Sequence, residues 1–65
     1  MPDESDPRIR VAIEECMQRC LGVSWPRFEL TSYVQMLEQD RTWSAEEIRT
    51  VESSVAQRLV QQGRA

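Results

Sequence analysis

A chain of 65 residues has room for one domain with a small core, and two cysteines form at most one bridge, so no disulfide framework holds it together. All eight positive charges are arginine, and the absence of His, Lys and Asn removes the usual general base near neutral pH, the Schiff-base amine, the Ser-His and Cys-His nucleophile pairs, the phosphate-loop lysine and every His-containing metal site. The net charge of −3 argues against general affinity for nucleic-acid backbone or anionic membrane, and no apolar run approaches the ~20 residues that cross a bilayer.

Residues 1–5 read as a disordered acidic lead-in, without the basic start and apolar stretch of a secretory signal, and residues 6–65 as a single helical domain. With two cysteines and no export signal, the cytoplasm is the expected location. Asp6-Pro7 is a helix start: a carboxylate to cap free N–H groups, then a proline at the first helical position. Ile9, Ile13, Cys16, Met17, Cys20 and Leu21 follow at the spacing of one helix face, with Gly22 as the stop, which predicts a helix over about 7–21. Arg10–Glu14 and Glu15–Arg19 are i,i+4 pairs on its wet side.

Val23-Ser24-Trp25-Pro26 is a connector, since proline holds Trp25 extended and a new helix begins at or after Pro26. The next stretch is ambiguous. Leu30, Tyr33, Val34 and Leu37 fit a helical stripe, whereas Phe28, Leu30, Val34 and Met36 fit part of a period-2 strand. No second strand-like segment exists to pair with it, so a helix over about 26–40 is expected.

The third element is the best specified. Ser44-Ala45-Glu46-Glu47 is a capping box, and Trp43 and Ile48 stand at the two positions of a hydrophobic staple. Ile48, Val51, Val55 and Leu59 continue one face to Gly63, giving a helix over about 44–62, beside a strip of small residues Ser53, Ser54 and Ala56. The expected fold is all-α: a small three-helix bundle or orthogonal three-helix domain, with a two-chain bundle of the same helices as the structural alternative.

Cys16 and Cys20 face the same way at i,i+4 with Met17 nearby, which suits a soft ion or a thiol sensor. A closed metal site needs three or four ligands, a disulfide at this spacing strains a helix, and both thiols lie in the apolar stripe, so they read as core. Adjacent carboxylates at Glu14-Glu15 and Glu46-Glu47 diverge by ~100° on a helix and share no proton. No catalytic residue, cofactor or metal is expected, and the chain reads as a non-enzyme.

A helix-turn-helix or nucleoid-associated DNA reader is the alternative class. The third helix offers Arg49, Gln57, Arg58 and Gln61 to bases, but interleaves them with Glu46, Glu47 and Glu52. Trp43-Ser44-Ala45-Glu46-Glu47-Ile48 with Arg58-Leu59 resembles the matching helix of the Hha/YmoA family of small bacterial regulators, which bind nucleoid-associated proteins. The resemblance covers less than a third of the chain, is shared with most capped amphipathic helices, and follows a longer connector here. It implies a protein-binding regulator without assigning the family. The Lys- and Asn-free, Gln-rich composition is the kind a GC-rich bacterial or phage genome encodes.

Trp25, Phe28, Tyr33 and Trp43 cluster in or beside the middle segment. Either all four pack the core, or Tyr33 and Trp43 do so while Trp25 and Phe28, with Met36, stay partly exposed. The second case makes Trp25, Arg27, Phe28 and Met36 the partner-binding residues, rimmed by charges such as Glu29 and Arg41, since Trp, Tyr and Arg are enriched at binding hot spots. The resulting expectation is a cytoplasmic regulator, inhibitor or adaptor that binds a larger protein or associates with itself.

Overall fold

Each helix begins where the sequence supplies a start. In a computed structural model, which describes residues 4–63, α1 spans Pro7–Leu21, α2 Pro26–Gln39 and α3 Ala45–Gln61, and no strand occurs among the described residues. The Asp6 carboxylate accepts the Arg8 N–H at 2.9 Å, with Pro7 at the first position of α1. At α3 the box closes in both directions: the Ser44 hydroxyl accepts from the Glu47 N–H at 3.2 Å, and Glu47 accepts from the Ser44 N–H at 2.8 Å. The start of α2 is different. Trp25 is its N-cap and makes no side-chain capping bond, so Pro26 alone sets the turn.

The three apolar stripes converge on one core. It is built from Ile9, Ala12, Ile13, Cys16, Met17 and Cys20 of α1, Leu30, Tyr33, Val34 and Leu37 of α2, and Val51, Val55 and Leu59 of α3. Trp43, Ile48 and Ala56 pack half-buried against it. No charged residue is buried among the described residues, and no buried side-chain polar atom lacks a hydrogen bond. The radius of gyration, 11.0 Å, is that of a compact chain of this length. No described helix is long and apolar enough to cross a membrane.

The expected three-helix bundle is therefore what forms, and the ambiguous stretch is helical to Gln39. Several details differ from expectation. Leu21, placed on the core stripe by spacing, is 41% exposed, because α1 ends there and its last turn borders an open polar groove against α3. Ala12 takes a core place instead. Gly22 ends α1 without the left-handed conformation that favours glycine (φ −88°), whereas Gly63 adopts it (φ 70°). The Glu15–Arg19 pair forms at 3.4 Å; an Arg10–Glu14 pair is not among the ion pairs of the described residues. Of the supposed disordered lead-in, residues 1–3 lie outside the described residues, while Glu4 and Ser5 form a turn and the Glu4 carboxylate meets Arg58 of α3 at 2.9 Å.

One side chain ties the α2–α3 loop to the first turn of α1. Arg8 donates to the Thr42 carbonyl at 2.9 Å and to the Thr42 hydroxyl, lies 4.1 Å from the Trp43 ring centre, and approaches Glu47 at 3.9 Å. Thr42 in turn donates from its N–H and its hydroxyl to Asp40. Those two bonds hold the Asp40 carboxyl below its ordinary pKa. A planar guanidinium performs the stacking and the forked donation together. Arg8→Ala should lower the unfolding free energy by about 1–2 kcal/mol, seen in urea as a lower midpoint with unchanged slope. Arg8→Lys should restore only part of that loss.

Candidate interaction surface

Once the core is closed, the apolar residues it does not use lie mainly on one side. Trp25 is 74% exposed, Phe28 72% and Met36 43%. At 100° per residue, Trp25, Phe28, Ser32, Gln35, Met36 and Gln39 share the outer face of α2, opposite the buried Leu30, Val34 and Leu37. All six are exposed and uncharged, and the half-buried Glu29, about 20° from Met36 around the helix, brings a carboxylate to their α1-side edge.

Arg27 does not join this stripe. It is exposed, but it sits about 100° around the helix from Phe28 and about 180° from Met36, on the flank toward α3. Glu29 is half-buried toward α1, and Arg41 is exposed in the loop after α2. The structure thus unites Trp25, Phe28 and Met36 and leaves Arg27 on another side.

Met36 has a neighbour that spacing alone did not reveal. α1 and α2 run in opposite senses, so the first half of α1 borders the second half of α2 in an open groove of about 530 Å3. Val11, 60% exposed, lines it from α1, and Met36 and Trp43 line it from the other side. Val11 lies off the α1 core stripe, and its only sequence signal is an apolar residue in the wrong phase. Lower down this face, Glu15 and Arg19 neutralise each other, and Arg19 lies 5.4 Å from the Tyr33 ring centre. The face therefore carries a protruding aromatic pair at the start of α2 and an apolar groove toward its end.

The other candidate chemistries find their residues otherwise engaged. Cys16 and Cys20 are both free thiols with no exposed surface. Burial, reinforced by Cys20 beside it, raises the Cys16 thiol from 9.0 to about 12. Burial also raises Cys20. A thiol held protonated is neither a nucleophile nor a good ligand. No group of three or more Cys, Asp or Glu able to hold a metal exists among the described residues. In α3, Arg58 is paired with Glu4, leaving no cluster of cations aimed outward. Burial, with the Glu15 carboxylate nearby, raises Tyr33 from 10.0 to about 12.

No family model matches the chain, and neither the curated proteins nor the solved structures give a match. The likeness of α3 to one helix of a regulator family is accordingly local.

The shifted groups fix the sign of a pH dependence. Cys16 and Tyr33 keep their protons in the fold at pH values where the unfolded chain releases them, so the folded state binds more protons there. Stability from these groups is fully present below about pH 9 and is lost between about 9 and 12. Urea midpoints should be flat through neutral pH and fall across that window. Cys16→Ala, whatever its cost at neutral pH, should make the fall shallower.

Proposed function

We propose that this chain is a non-enzymatic protein–protein interaction module, a regulator, inhibitor or adaptor of a larger protein, working in the cytoplasm through the outer face of α2. The observation that carries the reading is the pair Trp25 and Phe28, each about three-quarters exposed on a domain too small to leave large aromatics in water without consequence.

Local structure does not account for them. Ser, Thr, Asp or Asn would cap α2, and Trp25 at that position makes no capping bond. Phe28 in the first turn of α2 has no role in the core. Large exposed aromatics, on a helix whose other end borders an apolar groove, are what interface anchors consist of: extensive contact area with only two side-chain torsions to fix. The lack of His and Lys, and the protonated state of both thiols, support binding rather than catalysis as the activity. Arg27, on the α3 flank, serves as a rim contact.

Folding and binding separate cleanly at Trp25. Trp25→Ser introduces a capping residue, so thermal stability should be unchanged or rise by up to about 1 kcal/mol. Trp25→Ser and Phe28→Ala should nonetheless abolish capture of a stoichiometric protein partner from nuclease-treated native lysate. Loss of helicity in both variants would place these aromatics in the core and end the proposal. So would unchanged capture.

A further inference from the structure

We infer that the seam between α2 and the first half of α1 takes a cationic amphipathic helix of the partner protein, with Glu29 and Asp40 as the carboxylates that recognise it. The inference rests on the reading of the α2 side as a contact surface and states the chemistry of its occupant.

Glu29 stands between Trp25 and Met36 along α2, about 6 Å beyond the first and about 10 Å before the second. Around the helix it is about 20° from Met36 and about 40° from Trp25, on the side toward α1. Asp40 follows Met36 by four residues and lines the apolar groove with Val11, Met36 and Trp43. The two carboxylates thus bracket Met36, about 16 Å apart along the axis of α2.

Neither carboxylate belongs to an ion pair among the described residues. Both bonds that Asp40 accepts from Thr42 fall on one oxygen, Oδ1. The cations of the seam are engaged elsewhere: Arg19 with Glu15 and the Tyr33 ring, Arg8 with Thr42, Trp43 and Glu47. Arg41 follows Asp40 in the chain but does not line the groove, and Arg27 is on the α3 flank. The seam is therefore an apolar trough with surplus negative charge toward both ends. A nucleic acid, an anionic membrane or a second copy of this chain, itself at −3, would add negative charge to it. A partner with two cations and apolar groups between them completes it.

Two facts make that partner segment a helix. An extended segment docks by pairing its backbone with a free sheet edge, and no strand exists among the described residues. A helix satisfies its own backbone, and residues eleven apart on it are separated by about 16 Å and only about 20° around the axis. Lysine or arginine at that spacing reaches Glu29 and Asp40 from one face, and the apolar residues between them meet Met36 and Val11.

The probe is a fluorescein-labelled helical peptide of alanine and glutamine, with leucine at its fourth, fifth and eighth positions and lysine at its first and twelfth. Its counterpart has glutamate for both lysines. By anisotropy, the wild-type chain should bind the lysine peptide one to one with a Kd below about 100 μM, and the glutamate peptide about 10-fold more weakly or worse. Glu29→Lys should weaken the lysine peptide about 10-fold and strengthen the glutamate one. Glu52→Lys, the same charge change at an exposed position of α3, should leave both within about 2-fold. Met36→Ser should weaken both, with helicity checked for each variant. Absence of saturable lysine-peptide binding up to about 1 mM overturns the inference. So does equal binding of the two peptides, or an effect of Glu52→Lys as large as that of Glu29→Lys. A wild type that dimerises and releases the peptide as it does so assigns the seam to a second copy and overturns it too. No peptide binding, with partner capture still lost in Trp25→Ser and Phe28→Ala, would sink this inference and leave the proposed function standing. Peptide binding that follows Glu29, with capture unaffected by those two variants, would do the reverse.

Discussion

The structure depends on one constraint: three short helices must each bury a single apolar stripe against the other two, because the described residues form no other element to build a core. Small domains bury a modest fraction of their surface, so every stripe residue counts. The result is a closed inventory in which thirteen buried side chains, all in the apolar class, meet with no buried charge among the described residues. The Arg8 clasp on Thr42 and Trp43 and the Ser44–Glu47 box fix the helix ends around that centre. What the core does not accept must lie outside. Leu21, Val23 and Val60 lie elsewhere on the surface, while Trp25, Phe28, Met36 and Val11 lie on the α2 side and give the molecule its face.

Much of this was legible in the residues. The capping box, the proline starts and the α1 and α3 stripes specify helices because each carries a local hydrogen-bonding or periodic signal independent of tertiary contacts. The middle helix was harder, for a reason that bears on function. Phe28 and Met36 are apolar but stand on the solvent side, and adding them to the true stripe of Leu30, Val34 and Leu37 produces a false alternation. The residues that blurred the secondary-structure reading are the ones left over for binding. Arg27, chosen for its closeness in sequence, is separated from the others by helical phase, which a sequence distance of one or two residues conceals. Val11 became visible only when antiparallel packing set it beside Met36. Leu21 shows the opposite limit: it lies at the edge of its stripe, about 100° from the fully buried Cys20 in the same last turn, and borders the open groove against α3.

The thiols show how the same constraint disposes of tempting chemistry. Cys16 and Cys20 have a spacing that invites a metal or a redox bridge, yet they fill the centre of the core as small apolar groups, and burial keeps them protonated. Their contribution is to packing and to the alkaline limit of stability. A domain with its titratable groups either solvated or neutral acts through shape and apolar area, which is the vocabulary of a binding surface.

The most direct test of the central claim is the accessibility of Trp25 itself. In Trp43→Phe, which keeps a ring under Arg8, Trp25 is the sole indole, and acrylamide quenching reports its exposure across a dilution series. The account predicts free quenching in the folded protein, at every dilution, with Trp25 exposed on the outer face of α2. An indole shielded at every dilution and released only by denaturant would place Trp25 in the core and contradict the account.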